Sequence, residues 1–132
     1  GPAPPFVAGF AGHSPRSEAV VEPPAGILAA HGLRLRADEA RHLLYGTRVL
    51  VFIRPEHVAL HRPAEAPPDA LAARVMAIEF LGPVCRLSLK IGTLALMAAA
   101  TPDEVLALAV MPGNDVAITV PPDRPMVFAE DV

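Results

Sequence analysis

The sequence contains one cysteine, one lysine (Lys90), no tryptophan and only 5% aromatic residues. A single thiol cannot form an internal disulfide or a cysteine-based zinc site. The formal net charge is −3, whereas nucleic-acid binding needs cationic surfaces and, for single strands, aromatic platforms for stacking. We therefore expect no nucleic-acid partner.

Long apolar runs are also missing. The longest uncharged run of the C-terminal half, residues 91–102, is well short of the roughly 18 residues that a membrane helix needs. The N-terminus lacks the basic region and apolar core of a secretory signal peptide. These features predict a cytoplasmic protein.

The motifs of nucleotide chemistry and of nucleophilic catalysis are absent. Neither GxxxxGK[ST] nor GxGxxG occurs, and no serine lies in a GxSxG context. Cys85 lies on the apolar face of a predicted strand, which is typical of a buried structural thiol. His57 and His61 are four residues apart but flank a predicted strand, so we expect no metal site and no catalytic activity in this chain.

The sequence does contain 52% hydrophobic residues, sixteen prolines and nine glycines. The apolar content suffices for one core, and the frequent Pro and Gly favour many short strands over long helices. We predict an all-β, OB-fold-like small barrel of seven to nine short strands with one or two short helices, and a β-sandwich as the alternative. No internal repeat is evident.

Two hairpins and a helix are indicated by local signals. Two-residue turns at His31-Gly32 and Gly92-Thr93 separate apolar segments, and residues 84–91 alternate between apolar and polar side chains. Thr101 followed by Pro102 and Glu104 predicts a capped helix to about Leu108.

One or two further helical turns are expected from Asp38, as the N-cap, to Leu44.

The most informative segment follows Leu44. Residues 48–53 are apolar after Arg48, which predicts a strand buried on both faces, and Pro55 ends it because proline cannot donate to the ladder. Arg54 and Glu56 flank this proline, where they either brace the turn or meet a partner surface.

The sequence Ile53-Arg54-Pro55-Glu56 resembles the IRPE-type signature of the TOBE (transport-associated OB) domain, which follows the nucleotide-binding domain in ATPase subunits of bacterial ABC importers. Residues 6–12 (FVAGFAG) resemble the stretch that closes that ATPase domain. Residues 74–82 and 112–116 resemble a strand before a glycine turn and the late PG-x-x-V turn of the family. Within this family the sequence resembles the polyamine, iron(III), sulfate and phosphonate importer branches.

This resemblance implies that residues 1–17 are the tail of an ATPase domain or a linker, and that residues 18–132 form the regulatory domain. It implies three partners: the chain's own ATPase domain, a second copy bound through the C-terminal domain, and membrane permease subunits reached through the parent protein at the inner membrane. ATP and Mg would belong to the parent ATPase, and the fragment itself would hold no cofactor. An exposed apolar or mixed patch on the barrel strands is also expected. The predicted binding or interface residues are Arg54, Glu56, Ser88 and Lys90.

The alternative function is a small oxyanion-binding barrel related to molybdate-binding modules. Such sites use backbone N–H groups, hydroxyls and a lysine at a subunit interface. Ser88, Lys90 and Thr93 are near one another in the sequence and could contribute these groups.

Overall fold

A computed structural model describes residues 16–130, which fold into two five-stranded antiparallel sheets. The strands in this range are β1 (Arg16–Glu22), β2 (Ile27–Ala30), β3 (Leu33–Arg36), β4 (Arg48–Phe52), β5 (Ala59–His61), β6 (Leu71–Phe80), β7 (Cys85–Ile91), β8 (Leu94–Ala100), β9 (Asp115–Thr119) and β10 (Met126–Ala129). They are joined by helix α1 (Pro102–Leu108) and by 3₁₀ turns at Asp38–Ala40, Pro55–His57 and Pro63–Glu65.

The strand order is β10-β4-β1-β2-β3 in sheet A and β5-β9-β6-β7-β8 in sheet B. Strand β5 follows β4 along the chain but pairs with β9, and β10 follows β9 but pairs with β4. The curled sheets form half-barrels, and the two exchanged strands tie each half to the other. The predicted all-β, OB-fold-like architecture is confirmed.

The two sheets share one topology, so the two halves of the chain are equivalent. Strands β1–β4 pair in the same order as β6–β9, and β10 and β5 occupy matching edges. Backbone hydrogen bonds repeat as well, since the N–H of Gly46 donates to Val21 and that of Gly113 to Val75, each at 2.7 Å. Both glycines have a φ close to +90° (89° and 92°), where a side chain is strained. The fold therefore contains an internal structural repeat that is not evident in the sequence.

The core consists of the inward-facing side chains of both sheets. In β7 every second residue is buried, as the alternation predicted: Cys85, Leu87, Leu89 and Ile91. Burying each such leucine or isoleucine contributes about 1.5–3 kcal/mol relative to exposure. No polar side chain is buried within residues 16–130, so the core is held by apolar contacts.

Both predicted hairpins and the capped helix are present. His31 and Gly32 have φ values of 51° and 78°, as a type I′ turn requires. At the start of α1, Thr101 Oγ1 accepts the Glu104 N–H at 3.2 Å, and the Thr101 N–H donates to Glu104 Oε1 at 3.1 Å. This reciprocal pair satisfies two backbone donors that the first helical turn would leave without partners.

Two features of sheet A and its connections differ from the prediction. Of the one or two helical turns expected from Asp38 to Leu44, one is present as a 3₁₀ turn at Asp38–Ala40, but its N-cap is Ala37 and not Asp38, and Ala37 makes no side-chain capping bond. Strand β1, which the sequence did not indicate, lies at the centre of sheet A. Its Ala19 and Val21 are buried, but only two buried residues in a seven-residue strand give a weak signal.

Strand β4 is not buried on both faces. Val49 and Val51 point into the core, whereas Leu50 and Phe52 are half-buried on the outer face of sheet A. The apolar run was correctly assigned to a strand, but its second face forms a surface patch. No helix within the described range is long and apolar enough to cross a membrane.

Candidate functional site

A groove of about 750 Å³ runs across the outer face of sheet B. Strands β6 and β9 form its floor, where Ala72 and Ala117 present only methyl groups, and residues 62–70 form one wall. We call it the Lys90 groove. Its lining residues are Pro63, Ala66, Pro67, Ala70, Ala72, Ala73, Arg74, Lys90, Gly92, Asp115, Val116 and Ala117.

Three charged side chains line this groove, and their balance is cationic. The antiparallel register places Arg74 opposite Lys90 on one side and opposite Asp115 on the other. Arg74 Nε lies 3.6 Å from Asp115 Oδ1, and both side chains are mostly exposed. Such a pair contributes little to stability and leaves most of the five guanidinium donors available. Two cations and one carboxylate give the groove a net charge of about +1.

The same three positions in sheet A carry different side chains. The counterparts of Arg74, Lys90 and Asp115 are Val20, Ala29 and Arg48, because the strands pair in the same register. Arg48 forms ion pairs with two carboxylates, Glu18 Oε1 at 3.2 Å and Glu130 Oε2 at 3.6 Å. The cationic groove is therefore a property of one half of the molecule and does not follow from the shared topology.

Of the residues predicted for an oxyanion site, Lys90 alone lines the groove. Ser88 lies on the same face of β7, but its hydroxyl contacts Met97 Sδ at 3.5 Å. Thr93 is exposed in the turn between β7 and β8. Arg74 and Asp115 were not predicted from the sequence, because they reach Lys90 only through strand pairing. That register includes a bulge between Val75 and Ala77, which no local pattern reveals.

Arg54 and Glu56, the predicted interface residues of the Pro55 corner, do not contact each other as an ion pair within residues 16–130. The Arg54 guanidinium lies 5.6 Å from the centroid of the Phe52 ring, a cation–π geometry. Its carbonyl accepts the His57 N–H at 2.9 Å and closes the 3₁₀ turn. Glu56 is exposed. The partner-binding role of both residues stays a prediction.

An apolar patch with an arginine rim lies on the outer face of sheet A. We call it the sheet A patch; it forms a shallow groove of about 410 Å³. Phe128, on the edge strand β10, keeps 57% of its surface exposed. An exposed mixed patch was expected on the barrel strands, and this is such a surface. Its side chains are Leu50, Phe52, Met126 and Phe128, with Arg16 and Arg54 at the rim.

The two histidines with metal-like spacing occupy different environments. His61 Nε2 lies 2.7 Å from Thr119 Oγ1, whereas His57 Nδ1 is buried and makes no hydrogen bond within the described chain. Within residues 16–130 no three His, Cys, Asp or Glu side chains are placed to hold a metal ion together.

Comparison with known proteins supplies a family and a structural relative. Residues 51–128 match the family described as the TOBE domain. The structure is similar to the cytoplasmic molybdate-binding protein ModG, solved with molybdate bound, with a TM-score of 0.75 and 17% sequence identity over 87% of this chain and 95% of that one. At this identity the likeness concerns the fold. No curated protein matches. Because the family match covers more than half of its length, this chain belongs to the TOBE domain family.

Proposed function

We propose that this TOBE domain binds a small tetrahedral oxyanion in the Lys90 groove. The observation that carries the proposal is the register of β6 and β7, which sets Lys90 beside Arg74 above a floor of alanine methyl groups. A guanidinium fork donates to two oxygens of an anion at once, and an ammonium adds a mobile point charge. The floor leaves room for an ion instead of a protein side chain.

The fold likeness supports this class of ligand. ModG is described as a cytoplasmic molybdate-binding protein, and the two structures share most of their length. Molybdate, tungstate, sulfate and phosphate are the candidate anions, and the cytoplasm is the proposed compartment. We propose no reaction for this module, because the groove offers charge and hydrogen bonds without a nucleophile.

Asp115 opposes anion binding in the same groove. Its carboxylate lies 3.6 Å from Arg74 Nε, where it competes with an anion for the guanidinium and repels it directly. Replacing Lys90 should therefore weaken binding, and replacing Asp115 should strengthen it. Opposite effects of these two substitutions on affinity distinguish binding in this groove from a general attraction of anions to cationic surface.

The test is equilibrium dialysis and titration calorimetry with the four anions on the 132-residue chain and three variants. Lys90→Met should weaken binding about tenfold, which corresponds to roughly 1.4 kcal/mol, and Asp115→Asn should tighten it. Arg86→Met is the matched control, because it removes a cation from the same face of β7 outside the groove. The proposal fails if none of the four anions binds, or if Arg86→Met weakens binding as much as Lys90→Met.

We also propose that the domain belongs to the ATP-binding subunit of an ABC importer. The specific observation in its favour is the Ile53–Glu56 corner, together with residues 6–12, which resemble the end of the importer ATPase domain. In that setting the domain would contact its own ATPase domain and a second copy of itself, and would reach the membrane through permease subunits. A ligand that favours one state of the motor by about 1–3 kcal/mol changes its activity several-fold or more.

The importer setting is tested on the gene and on the assembled subunit. The reading frame that leads into Gly1 should encode a phosphate loop and an ABC signature, and the purified subunit should hydrolyse ATP and form a dimer. A frame without these motifs would reject the importer setting but not the oxyanion site, since the anion titration uses this chain alone.

A further inference from the structure

Residues 62–70 form the segment that precedes β6, and they fold onto the outer face of sheet B. The 3₁₀ turn at Pro63–Glu65 contacts β9. Beneath this segment Ala117, an outward-facing residue of β9, is only 6% exposed. In sheet B, therefore, the chain that leads into the central strand also covers the sheet.

The repeat shows which residues hold the same place in sheet A. In sheet A, Arg16 pairs with Phe52, and Phe52 corresponds to Thr119 in sheet B. In sheet B, Leu71 pairs with Ile118, so the preceding residue, Ala70, faces Thr119. Arg16 is thus the counterpart of Ala70. Residues 8–15, which lead into β1, correspond to residues 62–69.

The surface that this segment would cover is the sheet A patch. Ala117 corresponds to Leu50, because both are the fourth residue after the matching glycines Gly113 and Gly46. His61 pairs with Ala117 and Phe128 pairs with Leu50, so His61 corresponds to Phe128; by the same pairing Ala59 corresponds to Met126. Where sheet B has Ala117, Ala59 and His61, sheet A has the large apolar side chains of Leu50, Met126 and Phe128.

The N-terminal sequence has apolar side chains that suit this surface. Residues 6–10 read Phe-Val-Ala-Gly-Phe, and residues 1–15 contain no Asp, Glu, Lys or Arg. Phe10 corresponds to Ala64, within the 3₁₀ turn that contacts β9. Phe10 lies six positions before Arg16 in the sequence, a reach of up to about 20 Å in extended chain, which is enough to cross four strands at about 4.8 Å spacing.

We propose that residues 6–10 of this chain dock on the sheet A patch, with Phe6 and Phe10 packed against Leu50, Phe52, Met126 and Phe128. This docking inserts two aromatic side chains into a surface that otherwise exposes Phe128, and it makes the cover of sheet A the counterpart of residues 62–70 on sheet B. The partner that the patch selects is therefore the segment that leads into β1. This inference depends on the repeat and not on anion binding, and it treats residues 6–10 as a linker that packs on this domain and not as part of an ATPase domain.

Thiol labelling of the full chain tests the docking directly. Phe128→Cys places a reporter at an exposed position of the patch, and Cys85 gives little background because it is fully buried. Adding Phe6→Ser and Phe10→Ser should speed labelling of this reporter about tenfold, as expected when a local cover is lost. Met126→Cys is a second reporter in the same patch, in case the loss of Phe128 itself weakens docking.

Two controls make the result specific. Met111→Cys, 63% exposed outside the patch, should label at the same rate with and without the two serine substitutions. Phe80→Ser removes another exposed phenylalanine and should not change labelling of Phe128→Cys. Equal rates for the patch reporters with and without Phe6 and Phe10 would overturn the proposal. Protection that increases with protein concentration would also overturn it, because a second copy would then be the occupant.

Discussion

Gly46 and Gly113 occupy the same place in the two halves of the molecule, 2.7 Å from the carbonyls of Val21 and Val75. Each glycine turns the chain into the strand that pairs with the central strand of its sheet. The two halves share this geometry but not their surfaces. One carries a cationic groove, and the other carries an apolar patch with an arginine rim.

Replacing either glycine by alanine should destabilise the domain by a similar amount. No atom outside the neighbouring residues lies within 4 Å of an added Cβ at either position, so the cost comes from the left-handed backbone, about 1–2 kcal/mol. Urea unfolding of Gly46→Ala and Gly113→Ala measures it. A loss confined to one of the two variants would contradict the equivalence of the halves.

Thr101→Ala should destabilise the domain by about 1 kcal/mol, because it removes the side chain that accepts the Glu104 N–H. Thr101→Ser keeps the hydroxyl and should recover most of the loss. Thr93→Ala, in an exposed turn, is the matched control and should change the free energy of unfolding by less than about 0.5 kcal/mol. Denaturant titration distinguishes the three variants.

Glu39 forms a hydrogen bond with β10, the edge strand of sheet A. Its Oε1 accepts the backbone N–H of Val127 in β10 at 2.9 Å, and an unpaired edge donor is a template for pairing with another chain. Glu39→Ala should cost about 1 kcal/mol and increase self-association, measured by sedimentation. Glu39→Gln retains an acceptor oxygen and should behave like the unmodified chain; equal association of both variants would argue against the role of this bond.

Anion binding in the Lys90 groove should weaken as salt is added, because Lys90 and Arg74 attract the anion through solvent that ions screen. The affinity of the anion that binds is measured from low to physiological ionic strength, with a chloride and an acetate salt compared. Asp115→Asn should show tighter binding at every salt concentration. An affinity independent of salt would place the anion elsewhere.

Local patterns in the sequence predicted much of the secondary structure. The alternation in β7 and the capping box of α1 depend on neighbouring residues, and both are confirmed. Strand β1 was missed because Ala19 and Val21 are its only buried residues. The outer face of β4 was misjudged because apolarity alone does not reveal whether a second layer covers Leu50 and Phe52.

The candidate site was predicted only in part. Lys90 was chosen because it is the one lysine, on the polar face of a recognisable strand. Its neighbours Arg74 and Asp115 lie 16 and 25 positions away in the sequence, and they reach it through two strand pairings and a bulge.

The class of fold, the hairpins, the helix cap and the family signature at Ile53–Glu56 could be predicted because they arise from residues close together in the chain. The repeat, the groove and the patch exist only in the folded molecule. They depend on strand exchange and on register, which bring distant residues together through backbone hydrogen bonds that almost any side chain permits. Two halves with one topology could therefore acquire different surfaces.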